Sequence, residues 1–163
     1  MINLTQYRDP WLAEKFGEFI GFYPREFFVF DNFSSFRVLV DGVLYCTVEH
    51  AYQAIKFLQT APEIAQQITD CYSAHDAQKI AYANKDRQRK DWDDVKLGVM
   101  EKLLRLKLEQ NPYVKKKLLE TGNLIICEDS PKDSFWGIGA NRDGRNELGK
   151  LWMKLRSELQ NKQ

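Results

Sequence analysis

Residues 46–57 read Cys-Thr-Val-Glu-His-Ala-Tyr-Gln-Ala-Ile-Lys-Phe, and this pattern predicts a helix that begins after Thr47. Threonine is a common N-cap because its hydroxyl accepts a hydrogen bond from a backbone N–H that the first turn leaves unpaired. On a helical wheel, Glu49, Gln53 and Lys56 fall within roughly 60° of one another. Mostly apolar and aromatic side chains flank this stripe on both sides. A charged stripe with so little surface left for water must be paired or must serve a ligand.

Spacing alone leaves two interpretations of the stripe open. In the first, the segment is a core helix in which Glu49 complements the positive end of the helix dipole and Lys56 extends its amine to water. In the second, the stripe belongs to a binding or catalytic site. Amphipathic helices with one polar stripe are common, so the spacing by itself favours the first interpretation.

A β-hairpin signal precedes this helix. Residues 36–45 are rich in β-branched and aromatic side chains around Asp41-Gly42, a pair that tolerates the positive φ angles of a type I′ turn. We predict further strands at residues 27–30 and 124–127. These three segments are expected to form one small antiparallel sheet.

Most of the remaining chain has helical periodicity, and the fold class follows from that balance. We predict helices over Trp11–Phe22, over about Trp92–Gln110, after Pro112 and over about Gly149–Leu159. The expected fold is therefore a single, mainly helical α+β domain with the small antiparallel sheet. Residues 1–26 are expected to be an N-terminal extension packed on a domain that spans residues 27–163.

Composition restricts the classes of function. The chain has 163 residues, a formal net charge of +1 and aromatic residues at 13%. Near-neutral charge argues against a general nucleic-acid coat protein, which needs a basic excess. The three cysteines and two histidines form no ligand cluster, so we expect no metal site and activity without a cofactor. Without a signal-peptide pattern or a membrane-length apolar run, we expect a cytoplasmic protein with no membrane partner.

A long loop at residues 128–149 is rich in glycine, aspartate and asparagine. Loops of this length in compact domains are usually functional. Its glycines do not follow the strand-to-helix pattern of a dinucleotide fingerprint, so we reject a Rossmann fold.

Four blocks of sequence follow one another along the chain. They are Phe30-Asp-Asn-Phe-Ser34 with Val48-Glu-His-Ala-Tyr-Gln-Ala-Ile-Lys-Phe57, then Arg89-Lys-Asp-Trp92 with Lys107, then Glu128-Asp-Ser-Pro-Lys-Asp133-Ser-Phe-Trp136-Gly-Ile-Gly139, and finally Gly144-Arg-Asn146-Glu-Leu-Gly149 with Arg156. In this order the blocks resemble the NADAR family, which is named for NAD and ADP-ribose. The resemblance covers roughly residues 27–159, with Leu108 where the family has Phe and no glycine loop at 80–84.

This resemblance implies an N-glycosidase, an enzyme that hydrolyses the bond between ribose and nitrogen. The substrates it implies are phosphoribosyl amines of early riboflavin synthesis, or ADP-ribose attached to guanine in DNA or RNA. The alternative is a non-catalytic module that binds ADP-ribose or a related nucleotide. No obligate protein partner is evident from the sequence.

The chemistry of N-glycoside cleavage selects the catalytic candidates. A carboxylate near C1 can stabilise the developing sugar cation and orient water, and a second group must neutralise the departing nitrogen. We predict Glu49 and Asp133 as the acidic pair, with Glu128 as the other late-loop carboxylate. Lys56 is the supporting residue: it can attack a ring-opened ribose as a neutral amine, or bind phosphate or hold Glu49 as a cation.

The resemblance also implies which residues line the substrate site. Trp92 and Trp136 are expected to shape the slot for the base. A basic rim of Arg87, Arg89, Lys90, Arg142 and Arg145 could seat a polynucleotide. The complete set of predicted substrate-binding residues is Asn32, Phe33, Tyr52, Gln53, Arg89, Trp92, Trp136, Gly137 and Asn146.

Overall fold

The computed structural model describes residues 19–22 and 27–162, and these form four strands and six α-helices. The mainly helical α+β class predicted from the sequence is confirmed. The strands are β1 (Phe19–Phe22), β2 (Val38–Val40), β3 (Val43–Tyr45) and β4 (Ile125–Glu128). The helices are α1 (Val48–Ile55), α2 (Pro62–Asp70), α3 (Ala74–Ala83), α4 (Trp92–Gln110), α5 (Pro112–Glu120) and α6 (Glu147–Gln160), with short 3-10 helices at Phe28–Phe30 and Lys85–Arg87.

The chain divides into two compact units. The first unit spans Asn32–Asn111 and contains the strands β2 and β3 and the helices α1 to α4. The second unit combines the described residues before 32 with those from 112 onward, and it contains β1, β4, α5 and α6. The division bears on function because the predicted site residues are split between the two units.

The predicted hairpin is confirmed in the first unit. Asp41 and Gly42 have φ angles of 48° and 87°, as a type I′ turn requires, and β2 pairs with β3 in antiparallel register. Leu39 lies on the outer edge of this hairpin, where its backbone N–H donates to Gln110 Oε1 at 2.7 Å and its carbonyl accepts from Gln110 Nε2 at 2.9 Å. A side-chain amide from α4 therefore satisfies the backbone of β2.

Helix α1 begins as its sequence predicts. The Thr47 hydroxyl accepts a hydrogen bond from the backbone N–H of His50 at 3.2 Å. The His50 ring also contacts this hydroxyl, through Nδ1 at 2.8 Å, while Nε2 lies 3.3 Å from the carbonyl of Cys71. Burial lowers the pKa of His50, so the ring is held neutral and acts as a bridge between α1 and the segment before α3.

The second unit corrects three predictions, and two of them involve β1 and β4. The segment at 124–127 does form a strand, but β4 pairs in parallel with β1, with Phe19 opposite Ile125, and not with the hairpin. There are thus two two-stranded sheets among the described residues instead of one antiparallel sheet. Residues 19–22 form a strand where the sequence predicted the end of a helix, and residues 11–18 of that helix lie outside the described part of the chain.

The other correction concerns residues 27–30, which form a turn and a 3-10 helix instead of a strand. Phe27 and Phe30 are both fully buried and stack with their ring centroids 5.9 Å apart. The Phe30 carbonyl accepts a hydrogen bond from the indole N–H of Trp152 at 3.0 Å. Aromatic side chains three residues apart need one common face, which a 3-10 turn provides and a strand does not.

Backbone hydrogen bonds fold the long loop at 128–146 into a fixed structure. Ile138 N–H donates to the Glu128 carbonyl at 3.0 Å, and Asn146 N–H donates to the Gly137 carbonyl at 3.0 Å. A Cβ on Gly137 would lie 2.7 Å from the Glu128 carbonyl oxygen, and one on Gly144 would lie 2.5 Å from the Gly137 carbonyl oxygen. Both positions therefore need glycine for close backbone approach.

Buried Arg156 hydrogen-bonds the residues that follow α5 in the second unit. Its Nη1 donates to Thr121 Oγ1 at 2.8 Å and to the Leu124 carbonyl at 2.7 Å, and burial lowers its pKa. Arg156→Met is expected to lower the free energy of unfolding by about 2–3 kcal/mol, since it removes a charged donor from the buried Thr121 hydroxyl and the partly buried Leu124 carbonyl. Urea denaturation measures this, with the exposed Lys150→Met on the same helix as control. Equal midpoints for the two variants would contradict the expectation.

None of the helices within the described ranges has both the length and the apolar composition that crossing a membrane requires.

Candidate functional site

Glu49 lies in the first turn of α1 with only 5% of its surface exposed. Its Oε1 accepts a hydrogen bond from Gln53 Nε2, one turn along the helix, at 2.7 Å. Gln78 Nε2, on α3, approaches the same oxygen at 3.5 Å. Two amide donors from different helices thus face one buried carboxylate.

Lys56 follows α1 directly and is 8% exposed. Its Nζ lies 5.2 Å from the ring centroid of Tyr52 and 5.4 Å from that of Trp92, and the two rings meet edge to face with centroids 4.9 Å apart. Burial lowers the pKa of Lys56 from 10.5 to about 8, an effect that the negative charge of Glu49 only partly offsets. At pH 7, about a tenth of the amine is therefore neutral.

Asn32 is held at the start of α1, where its backbone carbonyl accepts from the N–H of Glu49 at 3.0 Å. Its side-chain Nδ2 donates to Met100 Sδ, on α4, at 3.4 Å. Among the described residues, two buried side-chain oxygens have no hydrogen-bond partner, and they are Asn32 Oδ1 and Gln53 Oε1. Phe33, the neighbour of Asn32, is only partly buried.

The segment before α4 is attached to the site through its backbone. Arg89 N–H donates to the Lys56 carbonyl at 2.9 Å, which places this segment directly against the end of α1. The guanidinium group of Arg89 binds Asp91 in a bidentate fashion, with distances of 2.6 and 2.7 Å, and this pairing raises its pKa. Asp91 therefore neutralises an arginine that the sequence analysis placed in the basic rim and among the substrate-binding residues, and the Asp91 side chain does not cap α4.

Asp133 and its neighbours lie in the second unit. Asp133 Oδ1 accepts from the backbone N–H groups of Phe135 and Trp136, both at 2.8 Å, so one carboxylate oxygen shapes the loop. The Asn146 side chain makes two hydrogen bonds to the backbone of β4. It accepts one from Glu128 N–H at 2.9 Å and donates the other to the Ile126 carbonyl at 2.9 Å. Both polar groups of the Asn146 side chain thus act on the strand.

The structure brings six of the predicted site residues together in the first unit: Asn32, Glu49, Tyr52, Gln53, Lys56 and Trp92. Asp133, Trp136, Gly137 and Asn146 belong to the second unit, where the loop at 128–146 holds them. Sequence reasoning missed Gln78, which reaches Glu49 from 29 positions away. It also missed Met100, which orients Asn32. No local pattern identifies either residue.

No group of three or more potential metal-ligating side chains comes together within the described ranges.

Known proteins similar to this chain were found by sequence and by structure. The NADAR domain model matches residues 7–160. The N-glycosidase Npun_R5314 of Nostoc punctiforme is 36% identical over 133 residues, which are 81% of this chain and 85% of that protein. A riboflavin biosynthesis protein of Vibrio vulnificus is 36% identical over 79% of this chain and 35% of its own length. The NMR structure of Escherichia coli YbiA has a TM-score of 0.80 and 34% identity, and the match covers 89% of this chain and 86% of that one.

These relatives confirm the prediction of an N-glycosyl hydrolase. The chain belongs to the NADAR domain family. The likeness to YbiA also confirms the α+β fold of that family.

Proposed function

We propose that this enzyme hydrolyses the N-glycosidic bond of small ribose-phosphate-linked amines, the class that includes early intermediates of riboflavin synthesis. The observation that supports this most is the buried Glu49 in α1 together with the buried Lys56 directly after α1, where its amine lies beside the rings of Tyr52 and Trp92. A buried carboxylate and an amine with a lowered pKa are common in active sites and unusual elsewhere. A binding module would need the aromatic rings but not this pair.

The proposed reaction begins with the ring-opened form of the ribosyl amine, in which C1 is doubly bonded to the departing nitrogen. The neutral Lys56 amine adds to C1, and the C1–N bond to the departing amine breaks as that nitrogen takes up a proton. Lys56 is then joined to C1 as an imine. Water adds to this imine and releases ribose phosphate as the aldehyde, which restores the free amine of Lys56.

Glu49 is proposed to move the protons and to stabilise positive charge at C1. A carboxylate close to C1 favours each cationic intermediate electrostatically, because a site with little water screens the charges weakly. The hydrogen bonds from Gln53 and Gln78 hold the carboxylate in one orientation. Its charge also raises the pKa of Lys56, so the two groups are coupled.

The choice of a small substrate over a polynucleotide rests on charge. Four arginines of the predicted basic rim each lie beside a carboxylate: Arg87 with Glu63, Arg89 with Asp91, Arg142 with Asp129 and Arg145 with Glu147. Paired arginines attract a phosphate backbone less than free ones do. The net charge of +1 favours the same conclusion.

The direct test is to incubate the protein with a phosphoribosylated pyrimidine amine and, separately, with an oligonucleotide that carries ADP-ribose on guanine. Mass spectrometry then identifies the released base and sugar. We expect ribose phosphate and free amine from the small substrate at a much higher rate. Faster release of ADP-ribose from the oligonucleotide would reassign the substrate, and binding without product over hours would support a non-catalytic module.

Asp133 is proposed as the second carboxylate, and Asp133→Asn tests it. The asparagine oxygen can still accept the two loop hydrogen bonds, so the loop is expected to keep its structure. Loss of the charge is expected to lower turnover by about 10²–10⁴-fold with an unchanged melting temperature. If turnover is normal in Asp133→Asn and falls only in Asp133→Ala, which also breaks the loop contacts, the residue is structural.

A further inference from the structure

Tyr82 is an exposed aromatic residue on α3 that the reaction proposed above does not use. It follows Gln78 by four positions, and residues with this spacing share one face of a helix. Long side chains in a helix also point back over the preceding turn, so the Tyr82 ring lies on the face from which Gln78 reaches Glu49. Tyr82 nevertheless keeps 62% of its surface exposed.

Helix α3 runs alongside α1, and this fixes the level at which Tyr82 lies. Near the start of α1, Gln78 Nε2 approaches Glu49 Oε1 at 3.5 Å. Just after the end of α1, the Lys56 carbonyl accepts a hydrogen bond from Arg89 N–H at 2.9 Å. Tyr82 lies between Gln78 and Arg89 in the chain. Its ring therefore stands beside the part of α1 that separates the two groups proposed to act on C1.

The aromatic rings nearest to the Lys56 amine are buried. Tyr52 and Trp92 are 6% and 5% exposed, and they meet edge to face with the amine of Lys56 next to both. They form a floor beneath the amine and have little surface left for a planar ligand. A heterocycle joined to C1 has to lie close to Lys56, since that amine attacks C1. Such a group therefore needs a stacking surface on the exposed side of the site.

We infer that the Tyr82 ring stacks on the heterocycle of the substrate, so that the enzyme prefers aromatic leaving groups to aliphatic ones. This inference rests on the proposed function, since Lys56 defines the position of C1. Residues 80–84 contain no glycine, so Tyr82 lies where this chain departs from the pattern of its family. Every heterocycle has a π-face, and stacking on one ring therefore selects for a planar group without selecting one particular base.

A nucleotide with a carbon-linked base tests the inference without turnover. Pseudouridine monophosphate joins a pyrimidine to ribose 5-phosphate through a C–C bond, which an N-glycosidase cannot hydrolyse. Calorimetry compares its affinity with that of ribose 5-phosphate, which lacks the ring. The wild-type protein is expected to bind the nucleotide about 5- to 50-fold more tightly. Equal affinity for the two ligands would overturn the inference.

Variants of two tyrosines locate this preference. Tyr82→Ala is expected to lower it about 5-fold or more and to leave the affinity for ribose 5-phosphate unchanged. Tyr82→Phe keeps the ring and should keep the preference. Tyr72→Ala, the same change at a tyrosine that is 98% exposed and precedes α3, should keep it as well. An undiminished preference in Tyr82→Ala, or an equal loss in Tyr72→Ala, would overturn the inference.

Steady-state kinetics separates stacking from a structural role. Tyr82→Ala is expected to raise KM for the phosphoribosylated pyrimidine amine about 5- to 50-fold and to change kcat little, because stacking stabilises substrate and transition state alike. The melting temperature should equal that of the wild type, since Tyr82 is exposed. A fall in both melting temperature and ribose 5-phosphate affinity would show a structural role and overturn the inference. Loss of the preference in Tyr82→Ala, when the wild type cleaves no N-glycoside, would instead disprove the proposed function alone.

Discussion

Lys56→Arg is expected to lower turnover by at least about 10³-fold while ribose 5-phosphate still binds. Arginine keeps the positive charge and can still lie beside Tyr52 and Trp92, but its guanidinium cannot form an imine with C1. Reduction of the wild-type reaction with borohydride should trap ribose phosphate on Lys56, and peptide mass spectrometry detects the added mass. Lys56→Arg should show no adduct.

The pH profile gives an independent measurement of the same role. Lys56 has a lowered pKa of about 8, so its neutral fraction grows as the pH approaches that value. We expect kcat/KM to rise with pH and to level off above about pH 8. A rate that instead falls through pH 8, with no trapped adduct, would show that Lys56 acts as a cation.

The lowered pKa of Lys56 also makes the free energy of unfolding depend on pH. The unfolded chain keeps the Lys56 proton up to its ordinary pKa of 10.5, whereas the folded protein releases it at about 8. Between these values the unfolded state binds more protons, so the contribution of this group to stability rises with pH.

The matched control for Lys56→Arg is Lys85→Arg. It is the same change at an exposed lysine whose charge acts on Lys56, and it should retain turnover.

Glu49→Gln is expected to lower turnover by about 10²–10⁴-fold with a nearly unchanged melting temperature. Glutamine can still accept the hydrogen bond from Gln53, so the substitution removes the charge and little else. Loss of that charge should also move the rising limb of the pH profile to lower pH, because Glu49 now raises the pKa of Lys56. Steady-state kinetics across a pH series measures both effects.

The control for Glu49→Gln is Glu63→Gln. Glu63 lies in the first turn of α2, where it meets the helix dipole as Glu49 does, but it is exposed and pairs with Arg87. If dipole complementation were the whole role of Glu49, the two variants would behave alike. Near wild-type turnover in Glu49→Gln and Asp133→Asn together would make the assigned acidic pair wrong.

Local signals explain the parts of the fold that the sequence predicted correctly. The Asp41-Gly42 turn, the Thr47 cap and the helix Trp92–Gln110 all depend on residues within a few positions of one another. Short segments of sequence are therefore enough to predict these elements. The strand at 124–127 was also recognised, since four apolar residues in a row favour a buried strand.

Long-range pairing explains the errors. The partner of β4 is β1, more than 100 positions away. No sequence pattern in either strand identifies the strand with which it pairs. Residues 27–30 have high β-propensity, but packing of Phe27 against Phe30 overrides it.

The candidate site shows the same division between local and long-range information. The helical wheel placed Glu49, Gln53 and Lys56 on one stripe, which is a local property, and all three are buried. The partner of Arg87 is different, because Glu63 lies 24 positions away along the chain. Unpartnered acceptors cannot be recognised in a sequence at all, since they are defined by what surrounds them.

Gln110 has a consequence for association between copies of the chain. The outer edge of a two-stranded hairpin offers free N–H and carbonyl groups to any other strand, and Leu39 and Leu44 leave about half of their surface exposed beside it, at 50% and 54%. Gln110 occupies both backbone groups of Leu39, so a strand from a second molecule finds no donor or acceptor at that position. We therefore expect Gln110, together with Asn111 on the neighbouring Arg37 carbonyl, to disfavour cross-β pairing at this apolar edge.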